Sequence, residues 1–551
     1  MNPHDREMSR EYSLFWAPLI TISIAVILVE VPFLWLGLPS GHDFEFHLYS
    51  WLDVLGQWKH GIVYPRWAAL SDFGYGEPRF VFYPPASWTL GATLAAILPW
   101  KLVPSVYIWV VLVAAGTSMF TLARRWLDRR DATFAAVLYA VNPYHLVIVY
   151  WRSAFAELLA SCLLPLLLLM VLRLAEEKRG AVIGLAMVLA AAWLVNAPAA
   201  VMIHYSLALL LLVTAWLRRS PHILLEGAAT VALGAALAAF YLLPAIYEQK
   251  WVNIGEAISV GLRPQDNFLF AHTSDRDHDV FNHLVSWVAL AEIVLTFAAA
   301  WTARRWREHN REAWYCLVAW AGACCLLMVP VTGLLWSFLP KLRFMQLPWR
   351  WMLCLSLTFT LFIVLGIRRW TLRLAIYLAA VLVIAFAWHR IQPPWWDTAA
   401  DLREMQDNMA TGAGYEGTDE YSPQKSDPSE SDKDARRVTV DGPAHAAIHV
   451  FSWEAESRLF TAEMSAPDNL VLRLLNYPAW RVEVNGQAVE PGARAGAGQM
   501  LVPVETGANR VKITFVRTWD RKLGGWISVV AAFLMGTSML WRRSRNPRRR
   551  V

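Results

Sequence analysis

The sequence predicts a mostly helical, polytopic membrane protein with a small β-sandwich outside the membrane, near the C-terminus. Three observations carry that prediction. The 551 residues are 56% hydrophobic and 17% charged, with 30 tryptophans, where a soluble chain carries about a quarter charged residues. About a dozen apolar runs of roughly eighteen residues or more recur, the length read as a membrane span. A long hydrophilic stretch, 391–521, ends in short alternating apolar–polar runs bounded by turn residues. Together these exclude a cytosolic enzyme, a secreted disulfide scaffold and a disordered regulator.

Taken in order, spans are expected at 14–36, 103–123, 131–150, 154–174, 181–196, 198–217, 222–244, 281–302, 313–330, 350–367, 371–389 and 523–541. The first is longer than a signal-peptide core and lacks a small-residue cleavage site, so it reads as retained. The five cysteines all sit in apolar stretches without CxxC spacing and read as small hydrophobes. Basic clusters fall in alternate loops: Arg124 to Arg130, Lys178-Arg179, Arg218-Arg219, Arg304 to Arg307, Arg368-Arg369 and the tail Arg542 to Arg550. The positive-inside rule puts them all in the cytoplasm, which twelve spans with both termini inside satisfies. The run 86–100 then reads as a re-entrant or interfacial helix. Loops 37–102, 245–280, 331–349 and 391–521, with the turn near 151–153, are then expected on the outer face. Segment 391–520 carries a net −8, so the rest of the chain carries +14. The basic balance is therefore a topology signal, and no nucleic-acid partner is expected.

The outer segment 391–521 divides again. Residues 401–436 are polar and read as a loop. From 437 to 516 the runs Arg437 to Val440, Ala447 to Val450, Asn469 to Leu475, Arg481 to Val484 and Val511 to Phe515 alternate as strands do. Asn485-Gly486 is a strong two-residue hairpin signal. Residues 1–390 are thus expected as a membrane domain and 522–551 as a last helix with a basic cytoplasmic tail. The sandwich carries no Ser-His-Asp set and no close carboxylate pair, and reads as a binding module that holds an acceptor or caps a site.

The first outer loop is where chemistry concentrates. It holds Gly41-His42-Asp43-Phe44-Glu45-Phe46-His47, then Tyr64-Pro65-Arg66-Trp67, Phe73-Gly74-Tyr75-Gly76 and Phe82-Tyr83-Pro84-Pro85. Asp43 and His47 are four apart and share a helix face, while Glu45 points elsewhere. A carboxylate at a membrane surface can act as a general base toward a hydroxyl or hold a divalent metal, and an imidazole can do either. The plainer alternative is that these side chains solvate the end of the first span. The acidic loop Ser274 to Asp279 lacks the Gly and terminal Glu of an EF-hand and reads as solvated.

These motifs resemble the bacterial membrane family labelled "6-pyruvoyl-tetrahydropterin synthase-related", although nothing in them suggests pterin chemistry. The resemblance continues at Tyr150-Trp151-Arg152 with Ala156-Glu157, Phe240 to Pro244, Leu347-Pro348-Trp349-Arg350, Glu416-Gly417-Thr418 with Glu420-Tyr421, and Tyr477-Pro478-Ala479-Trp480. Two places depart from the pattern: Asn196-Ala197-Pro198 stands for a His-x-Pro, and Arg152-Ser153 for a more usual Arg-Gly. That family is similar to GT-C-type glycosyltransferases, integral membrane enzymes that take sugar from a polyprenyl-phosphate donor and carry an acidic catalytic residue in the first outer loop.

What the resemblance implies is a GT-C-like helical bundle and an inverting transfer of sugar to a glycan, lipid or protein acceptor on the outer face. The acidic residue maps on Asp43 as general base, with Glu45 and His47 beside it. Arg152, Arg350, Arg343 and Arg66 are the expected ligands of the donor phosphate, with Glu157, His42 and Tyr83 supporting. Arg152 has an alternative, pairing with Glu157 or snorkelling to headgroups. GT-C relatives differ in their need for a divalent cation (Mg or Mn), which Asp43, Glu45 and His47 would hold. No nucleotide cofactor is expected, since there is no P-loop and no dinucleotide fingerprint. The rivals are a transporter or flippase for lipid-linked saccharides, disfavoured by the lack of paired inverted halves, and a non-catalytic assembly protein.

Overall fold

The computed structural model describes residues 3–391 and 395–544. Pro393-Pro394 and the tail from 545 lie outside the described residues. The chain is mostly helical, with its strands concentrated in the C-terminal region. Among the described residues, eight helices are long and apolar enough to cross a membrane, from Trp16–Leu36 to Trp519–Leu540. Two further pairs would each cross only as bent spans: His222–Leu237 with Ala239–Trp251, at 80°, and Arg311–Leu327 with Pro330–Phe338, at 89°. Of the twelve expected spans, eight meet that test among the described residues, or ten with the bent pairs. The apolar stretch expected at 181–196 forms a shorter helix, Ala181–Val195, while the one expected at 371–389 falls within the helix Trp370–Ile391. Fifteen residues rise about 22 Å against a hydrocarbon core of about 30 Å. The run 86–100 forms the short helix Pro85–Ile97.

The chain divides into two compact units, and their boundaries cut across the expected ones. The first comprises residues 1–47, 98–236 and 258–399; the second comprises 48–97, 237–257 and 400–551. In the first unit the helices are apolar on most sides, as helices inside a bundle are. The span Pro348–Gly366 is almost entirely buried, and so is most of Arg129–Arg152. Trp16–Leu36 instead exposes Ile20, Ile24, Ile27 and Leu28, the face a lipid-contacting helix presents. Asn196 caps the helix Ala197–Arg218 by accepting from the Ala199 amide, which accounts physically for an Asn at that departure from the family pattern.

The second unit joins the first-loop segment 48–97 to the sandwich. Strands β1 (Val438–Val440), β2 (Ala446–Trp453), β3 (Ser457–Met464), β4 (Asp468–Leu475), β5 (Trp480–Val484), β6 (Gln487–Val489), β7 (Gly492–Ala493), β8 (Gln499–Val504) and β9 (Gly507–Phe515) make two antiparallel sheets. Their orders are β1-β4-β8-β7 and β2-β3-β9-β5-β6. Alternate residues go inward: Phe460, Ala462 and Met464 on β3, Val511 and Ile513 on β9, Leu470, Leu472 and Leu474 on β4. Trp67 from the loop packs on Tyr477, Trp480 and Phe515, and Arg473 donates to the Phe73 carbonyl. This packing is why the loop groups with the sandwich.

The hairpin signal holds. Val484 pairs with Gln487, and Asn485 (φ 51°) and Gly486 (φ 82°) are both left-handed, as a type I′ turn requires. Gly486→Ala has open space for its Cβ but keeps the strained φ. It should therefore destabilise the sandwich by about 1–2 kcal/mol, read as a lowered midpoint in denaturant, while Asn485→Gly should stay near neutral.

Candidate active site

The turn that carries Asp43 is held down by the segment 151–153. Gly41 N–H donates to Ser153 Oγ (2.9 Å), Asp43 N–H donates to the Arg152 carbonyl (2.9 Å), and Ser153 Oγ donates to the Pro39 carbonyl (2.9 Å). A Cβ at position 41 would lie 2.5 Å from the Trp151 carbonyl oxygen, so only glycine permits this approach. On the other side of the junction, Ile148–Arg152 winds as a π-turn that ends at Ser153, left-handed at φ 50°. Serine replaces the expected glycine here and supplies the hydroxyl that joins both strands of the junction. π-Turns inside helices recur at functional sites.

Beneath this junction lies a buried charge cluster. Arg152 Nη1 meets Glu157 Oε2 at 2.5 Å, Arg350 Nε lies 3.1 Å from the same oxygen, and Tyr144 OH donates to Oε1 at 2.6 Å. Arg152, Glu157 and Arg350 are 3%, 2% and 8% exposed. Local sequence places each group. Asn142-Pro143 caps the helix carrying Tyr144, the π-turn aims Arg152, the next helix starts at Phe155, and Pro348 opens the turn holding Arg350. Asp43, half-exposed, lies within electrostatic reach of both guanidiniums. Trp349 lies under the Arg152 guanidinium (5.0 Å), and Phe281 bridges Trp349 (6.0 Å) and Trp151 (5.8 Å). The indole N–H groups of Trp151 and Trp349 are buried without a hydrogen-bond partner among the described residues.

The other expected residues scatter. Glu45 is exposed, and His47 is buried with its ring 5.3 Å from that of Phe155. His42 meets Phe281 edge-on at 5.2 Å. Asp43, Glu45 and His47 are not among the groups whose ligand atoms converge for a metal; among the described residues that convergence occurs at His272, Asp279 and His283. Arg343 is exposed, with its guanidinium over Phe344. Arg66 and Tyr83 belong to the second unit. There Arg66 donates to the Phe240 carbonyl (3.1 Å) and lies over Tyr64, and burial lowers its pKa.

The second unit also holds a polar nest that local sequence reading missed. Arg79 donates to Glu77 Oε1 (2.5 Å) and Ser50 Oγ (3.0 Å), while Glu77 Oε2 accepts the Thr418 amide (2.9 Å). Asp53 accepts from Gln57 (2.8 Å) and the Tyr415 hydroxyl (3.0 Å). Asp72 and Phe73 are both left-handed, and Asp72 Oδ2 is buried without a hydrogen-bond partner among the described residues. Burial, then the nearby Glu77, pushes the Asp72 carboxyl well above the usual carboxylate range; burial also raises Asp53. Glu420 is pushed up to about 7, mainly by burial. The motifs around Glu77 and Glu416 to Tyr421 were the only sequence signal. Their convergence across more than 300 residues was not legible.

Two outcomes follow from these charges. Glu157→Gln leaves two buried guanidiniums without an anion and should cost about 3–5 kcal/mol, seen as a large drop in melting temperature in detergent. Glu420 has a folded pKa raised from 4.5 to about 7. Its contribution is fully present below pH 4.5 and is lost as pH rises through 7. Glu420→Gln should therefore match wild type near pH 4.5 and exceed it at pH 8, by up to about 3 kcal/mol, in melting curves across that range.

Comparison with known proteins gives one family and a set of fold neighbours. No curated protein sequence matches. The neighbours include three structures of the oligosaccharyltransferase of Archaeoglobus fulgidus. The apo form matches at 13% identity and TM-score 0.38, covering 73% of this chain and 56% of that one. The form tethered to an acceptor peptide matches at 14% and 0.38, covering 74% and 56%. The complex with an inhibitory peptide and a dolichol-phosphate matches at 13% and 0.38, covering 73% and 56%. This chain thus spans little more than half the length of those proteins. Residues 80–392 match the family model described as "6-pyruvoyl-tetrahydropterin synthase related domain; membrane protein", and as this is more than half of the chain, the protein belongs to that family.

Proposed function

We propose that this chain is a membrane glycosyltransferase that moves a sugar from a polyprenyl-phosphate donor to an acceptor hydroxyl at the outer face, with Asp43 as general base. The observation that carries this reading is the pairing of opposites at one junction. A half-exposed carboxylate stands within electrostatic reach of two buried guanidiniums that share a single carboxylate partner, Glu157. The Arg152–Glu157–Arg350 cluster has one positive charge in excess before Asp43 is counted. In a low-dielectric setting that excess favours negative charge developing on a leaving phosphate. Exposed Arg343 contacts the phosphate directly, and Arg152 and Arg350 act on it from behind.

The step is a single displacement. The acceptor oxygen forms a bond to the anomeric carbon, the bond from that carbon to the phosphate oxygen breaks, and the acceptor proton passes to Asp43. The lipid phosphate leaves with the bonding electrons. His42, next to Asp43 and edge-on to Phe281, restrains the turn. Among the described residues Asp43, Glu45 and His47 do not bring ligand atoms together, so a divalent cation (Mg or Mn) is given no part in the step. The sandwich is assigned to the acceptor, a glycan, lipid or protein.

The test is transfer from a panel of radiolabelled polyprenyl-phosphate sugars in membranes, wild type against Asp43→Asn. Loss of transfer by about 10²–10⁴-fold, with donor binding retained, is the expected result. Equal transfer by both would remove Asp43 as base and point to Glu45. Donor binding without transfer by either would favour a carrier or an assembly protein instead.

A further inference from the structure

One group of ligand-type side chains lies outside the residues assigned to transfer. His272, Asp279 and His283 offer ligand atoms that all lie within 4.8 Å of one another. His272 Nδ1 is 3.3 Å from Asp279 Oδ1, and His283 Nδ1 is 3.7 Å from Asp279 Oδ2. The two imidazole rings lie 4.6 Å apart. Around a tetrahedral zinc ion with bonds of about 2.0–2.2 Å, donors stand about 3.3–3.5 Å from one another. The 3.3 Å between His272 Nδ1 and Asp279 Oδ1 is therefore what such an ion would impose on that pair.

The chain builds this arrangement from two directions. The helix Arg276–Thr302 places Asp279 and His283 four residues apart on one face, and Asp275 caps its first turn by accepting from Asp277 and His278. The preceding segment returns His272 to that face through the Thr273 amide, which donates to Asp279 Oδ1 at 3.0 Å. This bond orients the carboxylate, and its other oxygen retains capacity for a cation. His283 Nδ1 lies 2.9 Å from the Asp279 carbonyl. A proton donated there leaves Nε2 as the bare ligand nitrogen, the usual way a ligating histidine is oriented.

We infer that His272, Asp279 and His283 form a binding site for a zinc-class divalent cation, with a fourth position open to water. Two imidazoles and one carboxylate are a borderline donor set that suits Zn²⁺ better than Mg²⁺ or Ca²⁺. The site is separate from any cation held by Asp43. Its effect would reach the candidate site through Phe281, on the same helical turn, whose ring meets His42, Trp151 and Trp349. The cation would fasten the segment before the helix to its first turns and fix that aromatic ring.

The test uses the full chain in detergent, carried on a histidine-free tag and stripped with chelator. Zn²⁺ is titrated against a chromophoric competitor, and Co²⁺ absorption reports the geometry. His272→Ala removes a 78% exposed side chain and should leave the fold intact; Asp279→Asn and His283→Ala complete the set. Wild type should bind one more equivalent than the His272→Ala/His283→Ala double variant. Each single variant should weaken that equivalent by at least about tenfold, with loss of a tetrahedral Co²⁺ spectrum. Superimposable curves for wild type and variants, or no wild-type binding at micromolar Zn²⁺, would overturn the inference and leave an aspartate paired with two histidines. Neither result depends on sugar transfer, so failure here is distinguishable from failure of the proposed function.

Discussion

A carboxylate buried in an apolar helical bundle is stable only when it is paired and fully hydrogen-bonded. Glu157 meets that requirement with Arg152, Arg350 and the Tyr144 hydroxyl, drawn from segments far apart in sequence. Each partner ties down the backbone that carries it. The π-turn 148–152, the helix starting at Phe155 and the turn opened by Pro348 are thereby related to one another. Removing Glu157 would leave two guanidiniums in the bundle without the carboxylate they share. The Gly41–Asp43 turn docks on the same π-turn through backbone and Ser153 hydrogen bonds. The position of the candidate base is thus inherited from the ion cluster beneath it.

The second unit meets the same constraint with the signs reversed. There one guanidinium, Arg79, lies among Glu77, Asp72 and Glu420, and hydroxyls and amides supply further hydrogen bonds. Excess carboxylate in a dry site pushes pKa values upward. Raised carboxyls and two consecutive left-handed residues mark this nest as a place where stability has been traded for some other requirement. Trp67 and Arg473 pack the loop and the sandwich into one body, so the sandwich is more than an appended module.

Chain length and apolar composition determined the class of this protein, and alternation with an Asn-Gly turn determined the hairpin and the strands of the sandwich. These features are local: helix rise, strand period and turn dihedrals depend on residues within a few positions of one another. Asp43 stood out as a carboxylate flanked by aromatics beside a Gly-His turn, and its role as base is a proposal. Arg152 and Glu157, five residues apart, were also legible as possible partners. Tertiary structure decided the rest. It bent two of the twelve expected spans and shortened a third, grouped loop 48–97 with the sandwich, and gave Glu157 a second cation in Arg350. It also converged Asp72, Glu77 and Arg79 on Glu420, and brought His272 back to Asp279 and His283. Each of these depends on which distant segment supplies the compensating charge or the covering surface. A one-dimensional pattern carries no record of that choice, because the free energy of a buried charge is set by its neighbours in space.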